Sequence, residues 1–158
     1  MVITMIGQHG AASEHFHDQI FGTALSCWRH LHHAGQITAA KCDVVDIPLY
    51  MRTIDDCTEI IAQELSDMCE VLEAFTDSAD YPSKTQFKQN GDAQKLAKAD
   101  AQLLLAILGP IFRRAISSRS PERQEVTMTA FTAELEAAFT ASRFQASSPF
   151  LVLALRRK

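Results

Sequence analysis

The sequence predicts an α+β protein, mostly helical: a long antiparallel helical hairpin forming a dimeric four-helix bundle, followed by a small α/β unit. Three observations lead there. Apolar residues recur at steps of three and four through two long stretches, Asp77 to Pro82 interrupts the pattern with turn formers, and short alternating runs occur beyond that break. With 158 residues, 47% of them hydrophobic, the chain is long enough to bury a core without a disulfide or a metal.

The first helix is expected from Ala11 to Ala34, where Phe16, Ile20, Ala24, Cys27, Leu31 and Ala34 form one apolar stripe. Ser13 serves as its N-cap and Gly35 ends it. After Pro48 a second helix is expected from Leu49 to Phe75, with Ile54, Cys57, Ile61, Leu65, Met68, Leu72 and Phe75 on one face and acidic residues on the others. At 1.5 Å per residue the two helices would each be roughly 35 to 40 Å long, too long to cover each other's stripes, so a second copy is the expected partner. The domain boundary then falls between a hairpin at 1–78 and a smaller unit at 79–158. In the second unit Thr85 to Lys88 alternates like a strand before the Asn90-Gly91 turn signal, and a third helix runs from Ala93 to Ile116, with Pro110 kinking it or starting a new turn. Residues 121–145 carry both strand and helix signals, and Phe150 to Leu153 suits a buried terminal strand.

A net charge of -4 with scattered basic residues argues against nucleic-acid binding. No apolar run approaches the ~20 residues of a membrane span, and residues 1–10 lack the pattern of a secretory signal, so no membrane contact and a cytoplasmic location are expected. Cys27, Cys42, Cys57 and Cys69 form no Cys-x-x-Cys pair and are expected to be reduced.

All six histidines, His9, His15, His17, His30, His32 and His33, lie in the first 33 residues. Glu14 with His17, and His30 with His33, stand one helical turn apart, as metal ligands on one helix do. A di-iron bundle also needs matching carboxylates and a second Glu-x-x-His, which the chain lacks, so no metal is assigned. His17 followed by Asp18 suggests different chemistry. A near-neutral imidazole presents a free nitrogen as a nucleophile, and the adjacent carboxylate can orient it.

The segment Glu14-His15-Phe16-His17-Asp18-Gln19-Ile20-Phe21-Gly22-Thr23-Ala24-Leu25 resembles the phosphoacceptor helix of bacterial sensor histidine kinases. The order of a second helix, Phe87 to Asp92, Gln102 to Leu108 and Glu125 to Thr129 is similar to a kinase hairpin joined to the start of its ATP-binding domain. The chain departs from the kinase pattern at Pro110 and Arg114 and lacks an Asp-x-Gly-x-Gly segment. The resemblance therefore implies a bacterial histidine phosphotransferase with a degenerate, kinase-like α/β unit that does not bind ATP. It would pass a phosphoryl group between receiver-domain aspartates of response regulators, with His17 as acceptor, Asp18 as orienter, and no cofactor beyond magnesium supplied by the partner receiver domain. A non-catalytic helical adaptor is the alternative reading.

Overall fold

The computed structural model describes residues 1–7, 10–47, 52–80, 82–142 and 148–158, without the side chains of residues 6, 10–19, 79, 148 and 149. Nine elements follow in the described residues: β1 (Val2–Ile6), α1 (Gly10–His33), α2 (Ala39–Asp43), α3 (Ile54–Glu64), β2 (Cys69–Ala79), α4 (Pro82–Asn90), α5 (Ala93–Ala115), α6 (Pro121–Ser142) and β3 (Ser148–Arg157). They sort into two compact units. The first holds Met1–His17, Leu49–Tyr81 and Ala146–Lys158, and the second holds Asp18–Pro48 and Pro82–Gln145.

The first unit is built on a three-stranded sheet in the order β1-β3-β2, with β3 antiparallel to both neighbours. Strands β1 and β2 therefore run in the same direction. Ile3 pairs with Leu153 and Met5 with Leu151, while Val71 pairs with Leu155. These residues share one face by the period-two rule of strands. Leu151, Leu153 and Leu155 are buried there with Cys57 and Ile61 of α3, and Ile3, Met5, Ile54, Cys69 and Val71 pack around them. Helix α3 starts at a reciprocal cap: Thr53 Oγ1 accepts the Asp56 N–H at 3.1 Å, and the Asp56 carboxylate accepts the Thr53 N–H at 2.8 Å. Those two hydrogen bonds hold the Asp56 carboxyl below the usual carboxylate range.

The second unit is helical. Trp28 of α1, Phe112 of α5 and Phe131 of α6 meet with ring centroids 4.5 to 5.0 Å apart, close enough for the offset and edge-on contacts that aromatic rings favour. The Trp28 indole N–H donates to the Lys41 carbonyl at 3.2 Å, so its polar atom is not stranded by burial. Ala24, Cys27, Leu31, Leu104, Leu108, Ile116, Met128, Leu135 and Phe139 are among the other core residues.

The dimeric four-helix bundle is corrected at two places. The expected helix from Leu49 to Phe75 ends at Glu64, and its distal part is strand β2. The three-four spacing of Leu65, Met68, Leu72 and Phe75 is coincidental, since all four are exposed. Ile20, Ala24, Cys27 and Leu31 of the α1 stripe pack with α5 and α6 of the same chain, which removes the reason for a second copy to cover them. The kinase-like α/β unit is not found among the described residues: Thr85 to Lys88 belongs to helix α4, and α5 is followed by helix α6.

Helix α6 resolves the mixed signals of 121–142. Pro121 occupies the first turn, where its missing N–H costs nothing, and Thr127, Thr132 and Thr140 each turn their hydroxyl back onto the carbonyl four residues earlier. Helix α5 continues through Pro110 to Ala115. The terminal strand is found as β3.

Candidate functional site

His17 and Asp18 are consecutive on α1, but their side chains lie outside the described residues, as do those of His9 and His15. The three histidines near the C-terminal end of α1 are engaged locally. His30 Nδ1 lies 2.7 Å from Glu134 Oε2 on α6, His32 Nδ1 lies 3.1 Å from the Ile37 carbonyl, and the His32 and His33 rings stand 5.7 Å apart. No three His, Cys, Asp or Glu side chains converge as a metal site among the described residues. Nucleophilic chemistry at Cys27, Cys42 and Cys57 is disfavoured, because burial pushes the Cys27 thiol up to about 11 and raises the other two.

A groove of about 860 Å³ opens in the second unit between the start of α5 and the end of α6. Its α5 wall carries Asp92, Gln94, Lys95 and Lys98, and its α6 wall carries Ala133, Glu136, Ala137, Thr140 and Ala141. The α5 wall is fixed by the cap of its helix: Asp92 Oδ1 accepts the Lys95 N–H at 2.9 Å. Lys95 and Lys98 are three residues apart and share one face of α5. Three alanines at four-residue steps give the opposite wall an apolar strip, beside which lie Glu136 and Thr140. Lys95 and Lys98 can hold the anionic end of a small acid while its body lies on the alanines, with the Asp92 and Glu136 side chains also lining the groove.

Behind this groove, on the next turn of α5, Asp100 is half-buried against α4. Burial pushes its carboxyl up to about 6, partly offset by a hydrogen bond with Ser83 and by the nearby Lys84 ammonium. Sequence reasoning missed both features. The cues were present as Lys95-x-x-Lys98 and as an acid within the apolar run of α5, but only the packing of α4 and α6 gives them meaning.

The fold is thus an α/β chain whose sheet mixes strand directions, joined to a helical unit that offers a lysine-lined groove. The chain matches, over residues 1–158, the family of SAM dependent carboxyl methyltransferases, and it belongs to that family. A comparison with curated proteins finds no match. The family assignment overturns the histidine-phosphotransferase resemblance and the phosphorelay function with its response-regulator partners, and it gives the adaptor alternative no better support. No helix among the described residues is long and apolar enough to cross a membrane.

The family implies SAM, and the described residues do not form a cradle for it. Open α/β sheets bind nucleotide-like ligands in the crevice beyond the carboxyl ends of adjacent parallel strands. Here the two strands of common direction, β1 and β2, are separated by β3. Glycines in such cradles let a ligand approach the backbone, but a Cβ at Gly7, just after β1, would instead meet the Leu151 side chain. The described part of the site therefore does not fit SAM, and no catalytic step is derived through it.

Proposed function

We propose that this protein acts in SAM-dependent methylation of a carboxylate, and that its helical unit holds the acid. The observation that carries this reading is the family match across residues 1–158. The groove between α5 and α6 supports it. A carboxylic acid is ionised at neutral pH, so an acceptor of this kind needs no general base and calls mainly for cationic groups that hold it in place. Lys95 and Lys98 supply that charge, and among the described residues neither takes part in an ion pair.

Methylation of a panel of small carboxylic acids, each beside its amide and alcohol analogue, tests the reading. The acids are expected to react and the analogues not. In the Lys95→Glu/Lys98→Glu double variant, KM for the acid is expected to rise at least tenfold with a smaller change in kcat. An unchanged KM would remove the groove from the reading, and methylation of the analogues in place of the acids would remove carboxyl methylation.

A further inference from the structure

The two walls of the groove between α5 and α6 carry opposite charges that the fold leaves unjoined. Lys95 and Lys98 stand on the α5 wall, and Glu136 is the ionic side chain of the α6 wall. Among the described residues none of the three takes part in an ion pair. Glu136 is also half-buried, so its carboxylate has given up part of its water without gaining a counter-charge.

The other polar groups of the groove are already engaged. Asp92 Oδ1 accepts the Lys95 N–H at 2.9 Å, which ties that carboxylate to the start of α5, on the same wall as the lysines. The Thr140 hydroxyl donates to the Glu136 backbone carbonyl at 2.7 Å. Glu136 is thus the carboxylate placed to meet a ligand from the wall opposite the lysines. Between the charges lies the strip of Ala133, Ala137 and Ala141, whose two helical turns cover roughly 12 Å at 1.5 Å per residue.

Charge balance selects the ligand. The lining brings two ammonium groups, Lys95 and Lys98, and two carboxylates, Asp92 and Glu136. A simple acid adds a third negative charge to two positive ones, and leaves Glu136 without a partner. An acid that carries a cationic nitrogen at its far end keeps the groove neutral and meets both walls, with its apolar body on the alanines. We propose that the groove takes a dipolar acid, an amino acid whose carboxylate is held by Lys95 and Lys98 and whose ammonium group, across an aliphatic body, is held by Glu136. Glu136 is then the residue that sets specificity for the amine. This deepens the carboxyl-methylation reading and rests on its assignment of the groove to the acid.

The test titrates the full chain by calorimetry with three ligands of one aliphatic length: ε-aminocaproate, caproate and N-acetyl-ε-aminocaproate. ε-Aminocaproate is expected to bind about fivefold more tightly than either of the others, an advantage that fades at high salt as that of a partly exposed ion pair does. Glu136→Gln is expected to bring ε-aminocaproate to the level of its acetylated form, and Glu136→Lys to reverse the order in favour of caproate. Lys95→Glu/Lys98→Glu is expected to weaken all three. The ranking of the ligands on the parent protein needs no variant, and it decides the matter if a Glu136 variant unfolds. Equal affinity for the three ligands, no binding of any, or a preference that survives both Glu136 variants overturns the proposal. Methyl transfer from SAM to the same ligands separates this inference from the reading beneath it. Equal binding and equal esterification of caproate and ε-aminocaproate would sink the inference and leave carboxyl methylation standing. A Glu136-dependent preference for ε-aminocaproate, with no ester formed from any of the three, would support the dipolar site and sink carboxyl methylation.

Discussion

Gly7 is a position where one added carbon has a defined consequence. It is buried, and a Cβ built on it would run into Cγ and both Cδ atoms of Leu151, which is itself fully buried in β3. Gly7→Ala is therefore expected to destabilise the protein by about 1–3 kcal/mol, the usual cost of overpacking a core. Urea unfolding measures it, and because the clash lies with one side chain, Leu151→Ala in the same background should cost less than the sum of the two single changes. Asp100 offers a test that depends on pH. A carboxyl raised to about 6 in the native state binds its proton more tightly there than in the unfolded chain, where the value is near 3.9. Its contribution to stability is thus fully present below about pH 4 and is lost as pH rises through 6, and because the carboxyl is only half-buried, solvent screening holds it to about 1–2 kcal/mol. Asp100→Asn, which carries no charge to bury, is expected to be more stable than the parent at pH 7.5, with the difference shrinking toward pH 4. Equal stability of the two proteins across that range would contradict the burial of this acid.

At the scale of elements, the capping box of α3 joins local sequence to the sheet core. Thr53 and Asp56 close the N-terminus of the helix whose Cys57 and Ile61 cover β3. Thr53→Ala should cost about 1 kcal/mol, seen as a lowered urea midpoint with an unchanged denaturant slope. The elements also show where sequence patterns are decisive and where they fail. The α1 stripe was legible because Ala24, Cys27 and Leu31 do face a core, and α5 was legible for the same reason at Leu104 and Leu108. Leu65, Met68, Leu72 and Phe75 kept a helical spacing without any core to face, so periodicity carried the second helix about ten residues too far. Thr85 to Lys88 alternates as a strand does, yet four residues are too few to separate a strand from a turn of polar helix, and α4 buries none of its residues. The lysine groove was not legible, because it is shaped by two helices about forty residues apart in sequence.

At the scale of the whole molecule, the sequence pattern pointed to helices but not to what they serve. The strands β1, β2 and β3 come from both ends and the middle of the chain, and their pairing is non-local, so no window of sequence displays the sheet. The His17-Asp18 pair fitted a phosphoacceptor helix over a dozen residues, whereas membership of the carboxyl methyltransferase family is carried by the whole chain. A short motif can match by chance, while a pattern spread over 158 residues has to agree with strand, helix and core at once. The central claim is carboxyl methylation, and the chemical fate of the transferred methyl group tests it most directly. The protein is incubated with methyl-labelled SAM and small carboxylic acids, and the product is treated with mild alkali. Label released as methanol is the expected result, since only a carboxyl ester hydrolyses so readily. Label that stays on the product through alkali, bound to nitrogen, sulfur or carbon, or no label at all on any acid, would contradict the account.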